Sequence, residues 1–172
     1  MQTIYKCEYN MAKVVKIEYD GIEETYDIWN KEPDCIHDQG NFVIDGLVVH
    51  NSILANGVKR FEDLLFYNAA GHPGPMQCCW SHSLVNINNG VKKILELDSK
   101  IDIIKCVSID GDIIETNKYK VISSGRKKLL RIRLKNGVSL IVTSDHKIKT
   151  KLGFVKAGEL QRGQCVAVCA ES

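Results

Sequence analysis

Short apolar and β-branched runs, separated by Gly-bearing polar breaks, recur along most of the chain. Near the start, Ala12–Tyr19 and Glu24–Ile28 flank Asp20–Gly21, and Asp-Gly between such runs predicts a hairpin. Trp29–Gly40 is rich in Pro, Asp, Asn and Gly and reads as a loop. Asn41–Ile44 and Leu47–Val49 bracket a second tight turn at Asp45–Gly46. Beyond residue 78 the same texture resumes. Runs at Leu84–Ile87, Lys93–Leu95, Ile103–Ile109, Ile113–Glu115, Lys118–Ser123, Lys128–Leu134, Ser139–Thr143, Lys147–Lys149 and Cys165–Cys169 are parted by NNG, DGD, SGR, KNG and LGF. Many short strands with frequent turns predict an all-β fold. Residues 52–77 break the pattern. Val58, Phe61, Leu65 and Ala69 have helical spacing across Val58–Ala70, and Gly71, Pro73, Gly74 and Pro75 stop it. The chain thus reads as β segment 1–51, a short helical insert 52–77, and β segment 78–172.

Composition narrows the class. At 172 residues, 44% hydrophobic and 26% charged, the chain can bury a core and is not disordered by composition. No apolar run approaches the length of a membrane span, and MQTIYKCEYN has no apolar signal-peptide core, so an intracellular, cytoplasmic protein is expected. Seven Cys with no CxxC pair argue against a disulfide framework or a four-Cys zinc site. No metal and no cofactor are expected, and some thiols must be free.

The net charge of +2 hides an asymmetry. Residues 1–51 carry 4 Lys+Arg against 10 Asp+Glu, whereas residues 78–172 carry 17 against 9. A basic segment commonly points to nucleic acid. Here the basic residues are spread over strand-like runs, with little aromatic interleaving, and an acidic segment shares the chain. Mutual attraction of the two ends is the simpler reading, and nucleic acid is not the expected partner.

Candidate chemistry sits at the two ends of the insert. The first joint is His50-Asn51-Ser52. An Asn side-chain amide can attack its own backbone carbonyl, close a succinimide and cut the chain. A neighbouring imidazole can move the proton. Ser52 offers a hydroxyl one bond downstream. The second joint is Gln77-Cys78-Cys79. A Cys thiol can attack the preceding carbonyl and turn the amide into a thioester, an uphill step that needs help. Thr143-Ser144-Asp145-His146 supplies a hydroxyl and an imidazole at fixed spacing after an apolar strand.

Together these motifs resemble inteins, the protein-splicing domains. Residues 78–172 resemble the N-terminal splicing half: Cys78, Ser83-Leu84-Val85 and Gly90 match its opening, SGRKKLLRIRLKNGVSLIVTSDHKIKT its strand pair and TxxH block, and GFVKAGELQRGQCVAV the segment after it. Residues 12–51 resemble the C-terminal half, with YDI in VVKIEYDGIEETYDI and the closing block NFVIDGLVVHN followed by Ser. No LAGLIDADG-type motif occurs. The insert KRFEDLLFYNAAGHPGPMQ resembles a stretch of replicative DNA polymerase III alpha subunits, which makes 52–77 an extein, or host segment. The order is reversed: C-half, extein, N-half. One departure is Gly40, where the family usually has His.

The resemblance implies a horseshoe-shaped β fold of the Hint type. It implies that Cys78 attacks Gln77 with Thr143 and His146 assisting, that Ser52 takes the acyl group, and that Asn51 cyclises with His50. Cys79 stays open as the alternative first residue. The acidic half 1–51 would have the basic half 78–172 as its complementary partner, in one chain or swapped between two. A cyclic extein peptide would be the product. Two other readings are a self-cleaving Hint domain without ligation and a polymerase-precursor fragment that ends one intein and begins another.

Overall fold

The computed structural model describes residues 5–6, 9–30, 41–49, 78–107 and 112–169. The helix expected at Val58–Ala70 lies outside the described residues, as do His50, Asn51, Ser52 and residues 31–40 of the expected loop.

The fold is all-β. From the first segment come β1 (Tyr5–Lys6), β2 (Tyr9–Asn30), β3 (Asn41–Ile44) and β4 (Leu47–Val49). From the third come β5 (Cys79–Trp80), β6 (Leu84–Ile87), β7 (Gly90–Lys93), β8 (Ile104–Val107), β9 (Asp112–Thr116) and β10 (Tyr119–Leu134). It continues with β11 (Ser139–Thr143), β12 (Lys147–Thr150), β13 (Gly153–Lys156) and β14 (Cys165–Cys169). Two single 3-10 turns, Ile94–Glu96 and Ala157–Glu159, are the helical elements among the described residues. No helix there is long and apolar enough to cross a membrane.

All strands join one antiparallel sheet in the order β1-β9-β8-β6-β3-β4-β12-β14-β2-β10-β11-β5, with β7 on β6 and β13 on β12. The first segment is therefore threaded through the third. β2 lies between β14 and β10, while β3 and β4 lie between β6 and β12. β2, β10, β11 and β5 each pair with the next, and β5 returns to β2, closing a small ring.

Two expected turns are bulges instead. Asp20–Gly21 does not reverse the chain: β2 is one strand of 22 residues. Its partner β10 is likewise continuous through the SGR sequence. Leu129 faces Gly21 and Leu130 faces Tyr19, so Asp20 is the extra residue of a bulge. A second register shift falls between Ser123 and Gly125. Gly21 and Gly125 take φ of 102° and 71°, the conformations that bend a strand at small cost only when no Cβ is present. The local signal for a turn was real, but a long partner strand kept both sides paired. Asp45–Gly46 does turn: Ile44 pairs with Leu47, and both turn residues have positive φ. β1, β5 and β13 were not expected, and the expected run Lys93–Leu95 instead ends β7 and enters the 3-10 turn Ile94–Glu96.

Burial follows position in the sheet. β2 alternates at Ala12–Val15, with Ala12 and Val14 buried and Lys13 and Val15 exposed, as one covered face dictates. β4 is buried at every residue, and β11 and β14 at all but the first. Continuous burial requires cover on both faces. Leu47, Val49, Leu140, Val142, Ile148 and Val166 form the middle of this core.

Candidate functional site

β11 ends at Thr143, and the next residues turn tightly. His146 N–H donates to the Thr143 carbonyl at 3.1 Å, and Ala157 N–H donates to the His146 carbonyl at 2.8 Å. The TxxH segment is thereby fixed at both ends on the core. Val142 pairs with Cys79, which brings the start of β5 alongside.

Cys78 sits just before β5 with no exposed surface. Thr143 holds the backbone of Cys78 at its N–H and its carbonyl through three bonds. The Cys78 N–H donates to Thr143 Oγ1 at 3.1 Å, Thr143 N–H donates to the Cys78 carbonyl at 3.0 Å, and the Thr143 hydroxyl donates to that same carbonyl at 3.3 Å. A hydroxyl can accept one bond while donating another, so the set is self-consistent. His146, also buried, lies with Nδ1 3.8 Å from the Cys79 Sγ.

Two further groups meet these thiols. Lys127, from β10, directs Nζ to the Cys78 Sγ at 3.3 Å. Asp27, from the YDI block in β2, is buried, and its charge acts on both thiols. Burial pushes the Cys78 thiol up to about 11, with Asp27 adding to the rise and Lys127 and Ser124 opposing it. Burial also pushes Cys79 up; Asp27, Cys78 and Asp45 all act in that same direction. Neither Cys78 nor Cys79 is joined in a disulfide.

The strand that precedes the other joint approaches the same segment. β4 ends at Val49, the residue before His50, and Val49 pairs with Ile148 in β12. Residues 49 and 78, at the two flanks of the undescribed 50–77, therefore both dock on 143–148. Of the six expected site residues, Cys78, Thr143 and His146 converge, while His50, Asn51 and Ser52 lie outside the described residues. Lys127 and Asp27 were not among the residues singled out for chemistry. YDI was quoted as a block, but nothing in the linear sequence aimed Asp27 at a cysteine. Among the described residues no group of three or more metal-ligating side chains forms.

No protein-family model matches the chain, and no curated protein matches it.

Proposed function

We propose that this chain is a self-splicing protein of the intein kind, with residues 1–51 and 78–172 as its two halves and 52–77 as the extein between them. The observation that carries the reading is the docking of Val49 and Cys78 on one six-residue stretch, Thr143 to Ile148. Splicing needs two distant peptide bonds beside the same catalytic groups, and proximity of this kind supplies much of the rate.

In the first step the Cys78 sulfur bonds to the Gln77 carbonyl carbon and the Gln77–Cys78 C–N bond breaks. The thiol proton ends on the freed Cys78 nitrogen, which already donates to Thr143 Oγ1. Thr143 thus orients the departing nitrogen and passes a proton at that atom. In the second step Ser52 Oγ takes the acyl group, and the proton returns to the Cys78 sulfur. Asn51 then cyclises with His50 as proton carrier, breaking Asn51–Ser52. The Ser52 nitrogen finally displaces its own ester oxygen. Each atom leaving one bond enters another, so no cofactor or oxidant takes part. The product would be a ring of 26 residues, Ser52–Gln77.

Charge pairs between the segments support their pairing as mates. Arg131 binds Asp20 through two bonds of 2.7 and 3.0 Å, and Arg133 binds Glu18 at 2.8 Å. Each pair joins the basic third segment to the acidic first. Mass spectrometry of purified protein under reducing conditions tests the proposal. A cyclic 26-mer is expected from the unmutated chain and from neither Cys78→Ala nor Asn51→Ala. An unchanged mass for the unmutated chain overturns the reading.

A further inference from the structure

Two adjacent thiols stand at the second joint, and their surroundings differ. Cys79 faces His146 Nδ1 at 3.8 Å and lies within the field of Asp27, Asp45 and Cys78. Cys78 shares the field of Asp27 and has in addition the Lys127 ammonium at 3.3 Å from its sulfur. Lys127 reaches this spot from β10, where its backbone lies opposite Glu23 of β2. The amine is half-buried and 49 residues distant in sequence. A thiolate, not a thiol, is the nucleophile, and a buried sulfur ionises only against the cost of desolvation. A cation in contact with that sulfur offsets the cost for this cysteine alone.

We propose that Lys127 is a catalytic residue that stabilises the Cys78 thiolate by direct contact and so makes Cys78, attacking the Gln77 carbonyl, the first nucleophile, rather than Cys79 attacking the Cys78 carbonyl. The inference rests on the splicing reading and adds to it a residue outside the TxxH block. Lys127 donates a hydrogen bond to sulfur while the S–C bond forms, and the thiol proton still ends on the Cys78 nitrogen. His146, beside Cys79, then serves as a positioning and proton-handling group rather than as the base on the attacking sulfur.

The test uses the full chain, with hydroxylamine to trap the thioester and cleavage after Gln77 as the readout, from pH 6.5 to 10. Lys127→Met should slow this cleavage by about tenfold at neutral pH and should move the rise of the profile to higher pH. The far-UV circular dichroism and urea midpoint of Lys127→Met should stay close to those of the unmutated chain, which reports that the variant folds. Lys127→Arg, which keeps the charge, should retain most of the rate, and Cys79→Ala should leave cleavage after Gln77 in place. An unaltered profile in Lys127→Met, loss of the reaction in Lys127→Arg, or cleavage that shifts to follow Cys78 and depends on Cys79 would each overturn the assignment while leaving splicing intact. If the unmutated chain itself yields no cleavage after Gln77, the splicing reading falls, and the assignment with it.

Discussion

Thr143 grips Cys78 through the peptide groups on both sides of it, accepting its N–H and donating to its carbonyl. The backbone half of this grip is an ordinary continuation of the β11–β5 pairing. The hydroxyl half depends on the side chain. Thr143→Val keeps shape and strand propensity but leaves the buried Cys78 N–H without that acceptor. It should cost about 1–3 kcal/mol in urea unfolding. Cleavage after Gln77 should slow by about a hundredfold, since proton handling at the departing nitrogen is lost. Thr143→Ser should recover most of both.

The elevated Cys78 thiol sets a pH dependence. With its pKa near 11, only a small fraction is thiolate at neutrality, and that fraction grows as pH rises. Cleavage after Gln77 should climb about tenfold per unit between pH 7 and 10. Stability should move oppositely. The unfolded thiol ionises near 9.0 and the folded one near 11, so the contribution of the buried neutral thiol is complete below 9 and is lost as pH rises toward 11. Urea midpoints measured from pH 8 to 11 should fall in the unmutated chain and fall less in Cys78→Ala.

Gly21 tests the bulge. Its φ of 102° lies where side chains are rarely found, yet a Cβ there would meet nothing within 4 Å. The penalty for Gly21→Ala is therefore backbone strain without a clash, about 1–2 kcal/mol. In a domain of this size that lowers Tm by about 2–8 °C, readable by calorimetry.

The Arg131–Asp20 pair tests the attraction between segments. Arg131 is 31% exposed and Asp20 18%, so the pair is only partly screened. A double-mutant cycle with Arg131→Met and Asp20→Asn should return about 1 kcal/mol of coupling in low salt and clearly less in 1 M NaCl.

Much of the architecture is legible in the linear pattern. Leu84–Ile87, Ser139–Thr143 and Cys165–Cys169 form strands with the expected bounds, and the Asp45–Gly46 hairpin forms where Asp-Gly predicts it. The Asp20–Gly21 expectation failed because the same dipeptide suits a bulge, and only a partner strand 16 residues long decides between the two. Cys79–Trp80 is too short to show a period; β11 on one side and β2 on the other impose its strand form. The TxxH block was visible because its residues are close in sequence. Lys127 was not, because one amine among the basic residues of 124–135 carries no mark of which sulfur it will meet. That is decided by the pairing of β10 with β2 and the path of a cysteine from elsewhere in the chain.

The interleaving of strands bears on what remains after a reaction. β2, β3 and β4 are each flanked by strands from the other side of the insert, so the seam between the segments runs through the interior of the sheet several times. Cutting the covalent thread between 49 and 78 would remove a tether while every seam stays zipped. The spent catalyst would therefore persist as a nicked but intact body, and freeing either piece from it would demand wholesale unfolding rather than simple dissociation.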